Sequence, residues 1–244
     1  MPAKLPQILE ILETTYGPQK LVGPTDPYEM LVFLNSGYPA SDGACVKGFA
    51  ALKRELGVEP EKLLAASKAK LAKLMRPSVI VPVLCAERLK DIARRVENEL
   101  GGDLKTALEK RLRGTAGHGS RGEPLKPAKK LLQEFPTVGE PSAEKILLFS
   151  GLAPVAAVPS AFVEVPIRLF VGDPGKNYAR NYRTARGILD AELPKTLRAR
   201  QRAYLLLKKH GQEICKRSKP NCEMCPLTAH CAYLQAKAAD RNTE

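Results

Sequence analysis

Four cysteines fall within seventeen residues near the C-terminal end of this 244-residue chain, as Cys215-Lys-Arg-Ser-Lys-Pro-Asn-Cys222-Glu-Met-Cys225-Pro-Leu-Thr-Ala-His-Cys231. The spacing is C-x6-C-x2-C-x5-C, and it dictates that the loop either wraps a metal centre or closes on itself in disulfides. Two disulfides are the plainer reading, but an intracellular chain of this size has no need of them. Zinc favours paired C-x2-4-C knuckles, and here only Cys222 and Cys225 make one. The longer arms on either side suit a bulkier iron–sulfur centre. Lys216, Arg217 and Lys219 lie between the first two thiols, so a loop tied at both ends presents them together, a natural target for phosphate.

Charge points the same way. Lys and Arg total 39 against 26 Asp and Glu, a formal net charge of +13, which implies a polyanionic partner, nucleic acid first. From Lys176 to Lys219 the chain carries thirteen cations and three acids. Within that stretch Arg180, Arg183 and Arg186 recur on adjacent helical turns beside Tyr178 and Tyr182. No apolar run approaches the ~20 residues that span a bilayer, and no secretory leader is read at Met1-Pro-Ala-Lys. The expected setting is cytoplasmic and nucleoid-associated, with no membrane partner.

Apolar periodicity predicts helices throughout and no strand, so the class is all-α. The spacing predicts helices over 5–16, from Asp26-Pro27 through Leu34, from Ser41 along Cys45, Phe49, Leu52 and Leu56, and over 59–74. Further helices are expected along Cys85, Leu89, Ile92, Val96 and Leu100, over 104–113, up to about Leu132, over 141–149, 162–171 and 177–189, and from Pro194 to about Ile214. Cys45 and Cys85 sit on apolar faces and read as core residues. Pro77 to Pro82 is expected to be a loop, as is the glycine-rich stretch 114–124. His118 in that stretch carries no phosphate-loop spacing around it.

A second centre of interest is Phe135-Pro136-Thr137-Val138-Gly139-Glu140-Pro141-Ser142, between two helices. A tight turn with glycine before a helix aims backbone N–H groups at a phosphate. This turn resembles the helix-hairpin-helix of the DNA glycosylase superfamily, apolar-Pro-Gly-apolar-Gly, with Thr137 at the first glycine. The cysteine spacing resembles the cluster loop of the endonuclease III family in that superfamily.

The resemblance implies a two-domain fold: a six-helix barrel domain ending in the hairpin at 26–149, and an iron–sulfur domain from 1–25 together with 150–244, with substrate in the cleft between them. It implies a [4Fe-4S] cluster on Cys215, Cys222, Cys225 and Cys231. It also implies double-stranded DNA as partner, damaged or abasic, bound by a monomer through Pro136, Thr137, Val138, Gly139, Ser142, Arg180, Arg183, Arg186, Lys216, Arg217 and Lys219.

Both of the family's catalytic positions differ here. The lysine two residues past the hairpin glycine is Pro141, and the aspartate of its Ala-Val-Asp-Thr motif is Pro159, in Ala157-Val158-Pro159-Ser160. A proline nitrogen locked in a peptide bond forms no imine. The family's Ser-Gln-Gln, whose glutamine enters the base stack, reads Ser36-Gly37-Tyr38. The expectation is therefore an endonuclease III-like iron–sulfur DNA-binding protein of the base-excision-repair superfamily without family-type glycosylase/AP-lyase catalysis. One alternative is an active glycosylase/AP lyase with relocated groups, for which Lys145, one turn beyond Pro141, and Glu164, in the helix after Pro159, are the substitutes. The other is an iron–sulfur redox sensor that binds DNA.

Overall fold

The computed structural model describes residues 4–38, 41–114 and 125–241, with no side-chain account of the last three of these. Most of the glycine-rich stretch, with His118, lies outside the described residues. Those described form thirteen α-helices and no strand. They divide into two compact units, one of residues 21–152 and one of residues 1–20 with 153–244. The sequence reading places these boundaries at 25/26 and 149/150. None of the described helices is long and apolar enough to cross a membrane.

The first unit comprises α2 (Pro27–Asn35), α3 (Asp42–Glu55), α4 (Pro60–Ala65), α5 (Lys68–Met75), α6 (Pro82–Leu100), α7 (Leu104–Arg113), α8 (Lys126–Gln133) and α9 (Glu140–Phe149). These are eight helical segments where the resemblance implies a six-helix barrel. Two of them come from 59–74, expected as one helix. Ala66 turns extended there, and the Ser67 side chain accepts from Lys70 N–H to start α5 afresh, a local bond that competes with helix continuation. Asp26 caps α2 through Glu29 N–H, with Pro27 in the first turn as the sequence predicts. The nineteen-residue α6 packs against α2, α4, α5 and α7, burying Cys85, Leu89, Ile92 and Val96 along one face. Gly101 ends it in the left-handed conformation. Cys45 and Cys85 are both core residues, as their spacing predicts.

The other unit packs α1 (Leu5–Tyr16) against α11 (Tyr178–Glu192) and α12 (Leu197–Glu213). Leu5, Ile8, Leu9 and Leu12 of α1 enter a core shared with Val163, Leu189 and Leu207. The predicted helix over 162–171 is instead a 3-10 turn at Ser160–Phe162 followed by α10 (Glu164–Phe170). Gly211 lets α12 come close to that turn, since a Cβ there would meet Phe162 Cδ1 at 2.4 Å. After the cysteine loop the chain ends in α13 (Ala232–Arg241), an element its sparse apolar pattern did not announce.

Candidate nucleic-acid interface and metal centre

In the first unit the hairpin turn runs from Phe135 to Gly139, between α8 and α9. Thr137 has φ +66°, the only positive φ at a non-glycine residue among those described. A glycine requirement at this position of the motif is thereby explained: the turn needs left-handed backbone. The N–H of Val138 turns inward to the Phe135 carbonyl at 3.3 Å, and its side chain is buried. Pro136 has no N–H, and its carbonyl accepts from Asn35 Nδ2 at 3.4 Å. Pro136 and Val138 therefore shape the turn without offering an outward backbone N–H from it. The N–H groups of Thr137 and Gly139 have no partner among the described residues, and Gly139 is exposed where it caps α9.

Behind the turn, Lys129 Nζ donates to Glu144 Oε1 at 3.2 Å and Glu140 Oε1 at 2.9 Å, with Glu144 fully buried. This pair ties α8 to the first turns of α9. Lys145, the substitute one turn beyond Pro141, is 9% exposed: α9 is hemmed in by α2 and α8 and buries every residue from Ala143 to Phe149. Pro141 is half-buried in the first turn of α9, beside half-buried Ser142.

Gly37 explains the missing glutamine. A Cβ there would lie 2.2 Å from Cys45 N, on the backbone of α3, so no longer side chain fits. Tyr38, next along, is exposed, with Arg88 Cζ 5.5 Å from its ring centroid. Ile80, Val81, Val83 and Leu84 are exposed at the start of α6, an apolar rim that reading 77–82 only as a proline-bounded loop missed. Four bulky apolar residues in five positions with no amphipathic partner were its signal.

In the other unit the cysteine loop spans the gap from α12 to α13. Cys231 is buried, Cys215, Cys222 and Cys225 are half-buried, and none of the six cysteines is in a disulfide. Arg168 of α10, itself buried, anchors the loop: Nη1 donates to the Lys216 carbonyl at 2.9 Å and Nη2 to the Arg217 carbonyl at 2.7 Å. The same Nη1 lies 3.5 Å from Cys215 Sγ. Leu227 N–H donates to Cys225 Sγ at 3.4 Å, and His210 Nε2 lies 3.7 Å from that sulfur, with Nδ1 2.9 Å from the Tyr16 hydroxyl. Burial pushes the Cys225 thiol up to about 11, helped by the charges of Cys215, Cys231 and Cys222; burial likewise raises Cys215, against the pull of Arg168. Burial also pushes His210 down to about 4, so its ring is neutral at physiological pH. Arg168 Nη1 and the Leu227 N–H are thus turned toward two of the four sulfurs, donors of the kind that stabilise charge on sulfur. Among the described residues no three or more Cys, His, Asp or Glu converge as they would on a single metal ion.

Lys216, Arg217 and Lys219 are exposed on the loop, as are Arg180 and Arg183 on α11, while Arg186 is half-buried. Arg217 Nε makes an ion pair with Glu164 Oε1 at 3.1 Å. The wider basic stretch is partly internal. Arg200 is buried against Asp190 and the Pro154 carbonyl, and Arg202 and Lys209 pair with Glu13 and Glu213.

No protein-family model matches the sequence, and no curated protein matches it. Solved structures do. A trapped endonuclease III–DNA covalent intermediate superposes with a TM-score of 0.70 at 16% identity, covering 97% of this chain and 99% of that one. A thermostable thymine-DNA glycosylase gives 0.70 at 22% identity, covering 95% of each chain. The chain has the endonuclease III fold. A more distant likeness, with a TM-score of 0.54 at 15% identity over 86% of this chain and 95% of the other, is to the 3-methyladenine DNA glycosylase of H. pylori bound to 1,N6-ethenoadenine. Within the endonuclease III fold, the hairpin and the cysteine loop of this chain belong to different units, and Pro141 and Pro159 stand in its first and second units respectively, each at a helix start.

Proposed function

We propose that this chain is a double-stranded DNA-binding protein built on the glycosylase fold, acting without the family's base-excision chemistry. The observation that carries the reading is the hairpin, whose left-handed turn at Thr137 leaves N–H groups of Thr137 and Gly139 free at the start of α9, where the helix dipole favours phosphate. Exposed Arg180, Arg183, Lys216, Arg217 and Lys219, with Arg186, add cationic contacts. The apolar rim at Ile80 to Leu84, with Tyr38, is of the kind that wedges between base steps and favours distorted duplexes, damaged or abasic sites among them.

Catalysis lacks its groups. Pro141 and Pro159 offer neither an amine nor a carboxylate. Of the substitutes, Lys145 is buried and Glu164 is paired with Arg217. The C-x6-C-x2-C-x5-C spacing and the N–H donors to sulfur from Arg168 and Leu227 support a [4Fe-4S] cluster, with Cys215, Cys222, Cys225 and Cys231 as the residues that would hold it. When bound, such a cluster supplies a rigid tie across the loop and an electron-transfer centre. The redox-sensor reading shares that donor set and leaves the hairpin without a task. We place the protein in the cytoplasm on DNA, as a monomer. Titration of intact, abasic and lesion-bearing duplexes, with base release followed in parallel, tests the reading: binding without release supports it, and release of a base, or no binding, refutes it.

A further inference from the structure

The geometry points to Asn35 as a positioning residue that holds the hairpin turn in its DNA-binding shape, replacing the freedom a glycine would give at position 137. The inference rests on the hairpin being the DNA contact.

Thr137 is β-branched and sits at φ +66°, a region such side chains occupy only when their surroundings enforce it. The enforcement is visible. Asn35 is the last residue of α2 and 2% exposed. Its Oδ1 accepts from the Thr137 hydroxyl at 3.3 Å, while its Nδ2 donates to the Pro136 carbonyl at 3.4 Å. One amide thus grips the turn on both sides of the 136–137 peptide bond. The amide is itself fixed: Nδ2 also donates to the Leu31 carbonyl at 3.0 Å, and the Asn35 carbonyl accepts from Cys85 Sγ at 3.3 Å. The end of α2 cannot slide, because a Cβ on Gly48 of α3 would meet the Ser36 carbonyl at 2.1 Å. A fixed point on α2 and α6 therefore sets the direction of the Thr137 and Gly139 N–H groups. The clamp needs both partners, since threonine supplies the hydroxyl that glycine lacks and asparagine supplies the acceptor and donor together.

The test is a double-mutant cycle on the full chain with Asn35→Ala, Thr137→Gly and both, read by duplex affinity at several salt concentrations and by thermal unfolding. N35A should weaken binding at least tenfold, by the same factor at every salt concentration, because neutral N–H contacts are lost while cationic ones stay. In the N35A background T137G should restore most of the lost affinity, since glycine takes a positive φ unaided. Binding by N35A equal to wild type, or no recovery in the double variant, overturns the clamp. Unfolding is read without DNA: the two substitutions should be non-additive in Tm, and additive effects also overturn it. A wild type that binds no duplex instead sinks the functional reading, and the unfolding cycle then decides the clamp by itself.

Discussion

Glu164 Oε1 forms an ion pair with Arg217 Nε at 3.1 Å, joining the first turn of α10 to the basic loop between the first two cysteines. The carboxylate that relocated catalysis would use is therefore part of what orients the loop's central cation. Arg217 is still about two-thirds exposed, so it can reach a phosphate while paired. Arg217→Ala should weaken duplex binding and make the slope of log K against log salt shallower by about 0.9, the contribution of one phosphate. Glu164→Gln should bind at least as tightly as wild type. Unchanged affinity and slope in R217A would remove the loop from the interface.

Iron and acid-labile sulfide should each be found at about four per chain, as a [4Fe-4S] centre requires. Cys45→Ala and Cys85→Ala should leave that content unchanged, because both thiols lie in the core of the other unit. One zinc with no sulfide would contradict the assignment.

The buried pair behind the hairpin gives a stability prediction. Lys129→Met removes the ammonium that faces the buried Glu144 carboxylate and should cost about 3–5 kcal/mol by denaturant unfolding. Replacing both, as Lys129→Met with Glu144→Leu, should recover most of that loss. Equal losses in the single and double variants would mean the pair is not what α9 depends on.

Alkaline stability should depend on Tyr28, whose hydroxyl donates to the Val58 carbonyl at 2.7 Å. Burial, with nearby Glu61 and Glu59, pushes this phenol well above its ordinary value of 10.0. Because the folded value is the higher one, the contribution is fully present below about pH 10, the unfolded value, and is lost as pH rises beyond it. Tyr28→Phe should cost about 1 kcal/mol at neutral pH and flatten the decline in Tm above pH 10. An undiminished decline in the variant would place the alkaline sensitivity elsewhere.

Much of this was legible in the chain because its signals are local. Asp26-Pro27 announces the start of α2, the Cys85 to Val96 spacing marks the buried face of α6, and the proline and glycine of the hairpin mark its turn. The clamp on Thr137 was not legible, since Asn35 lies about a hundred residues away in sequence and nothing in its own segment sets it apart from a helix-ending asparagine. Burial of Lys145 was not legible for a related reason. One helical face can be read from periodicity, but α9 is enclosed by α2 and α8 together, which only the packing reveals. The basic stretch misled in the opposite sense: formal charge counts Arg200 alongside Arg217, and only the fold separates the buried cation from the exposed one.

On the proposed reading the scaffold binds DNA, while Pro141 and Pro159 leave it chemically silent. Borohydride added to the protein with abasic, uracil, oxidised-pyrimidine and mismatch duplexes tests it most directly, with each mixture resolved under native and denaturing conditions. A retarded native complex, no covalent adduct and no released base are expected with each of them. An adduct that forms in wild type and vanishes in Lys145→Ala would contradict it and hand the chemistry to the buried lysine.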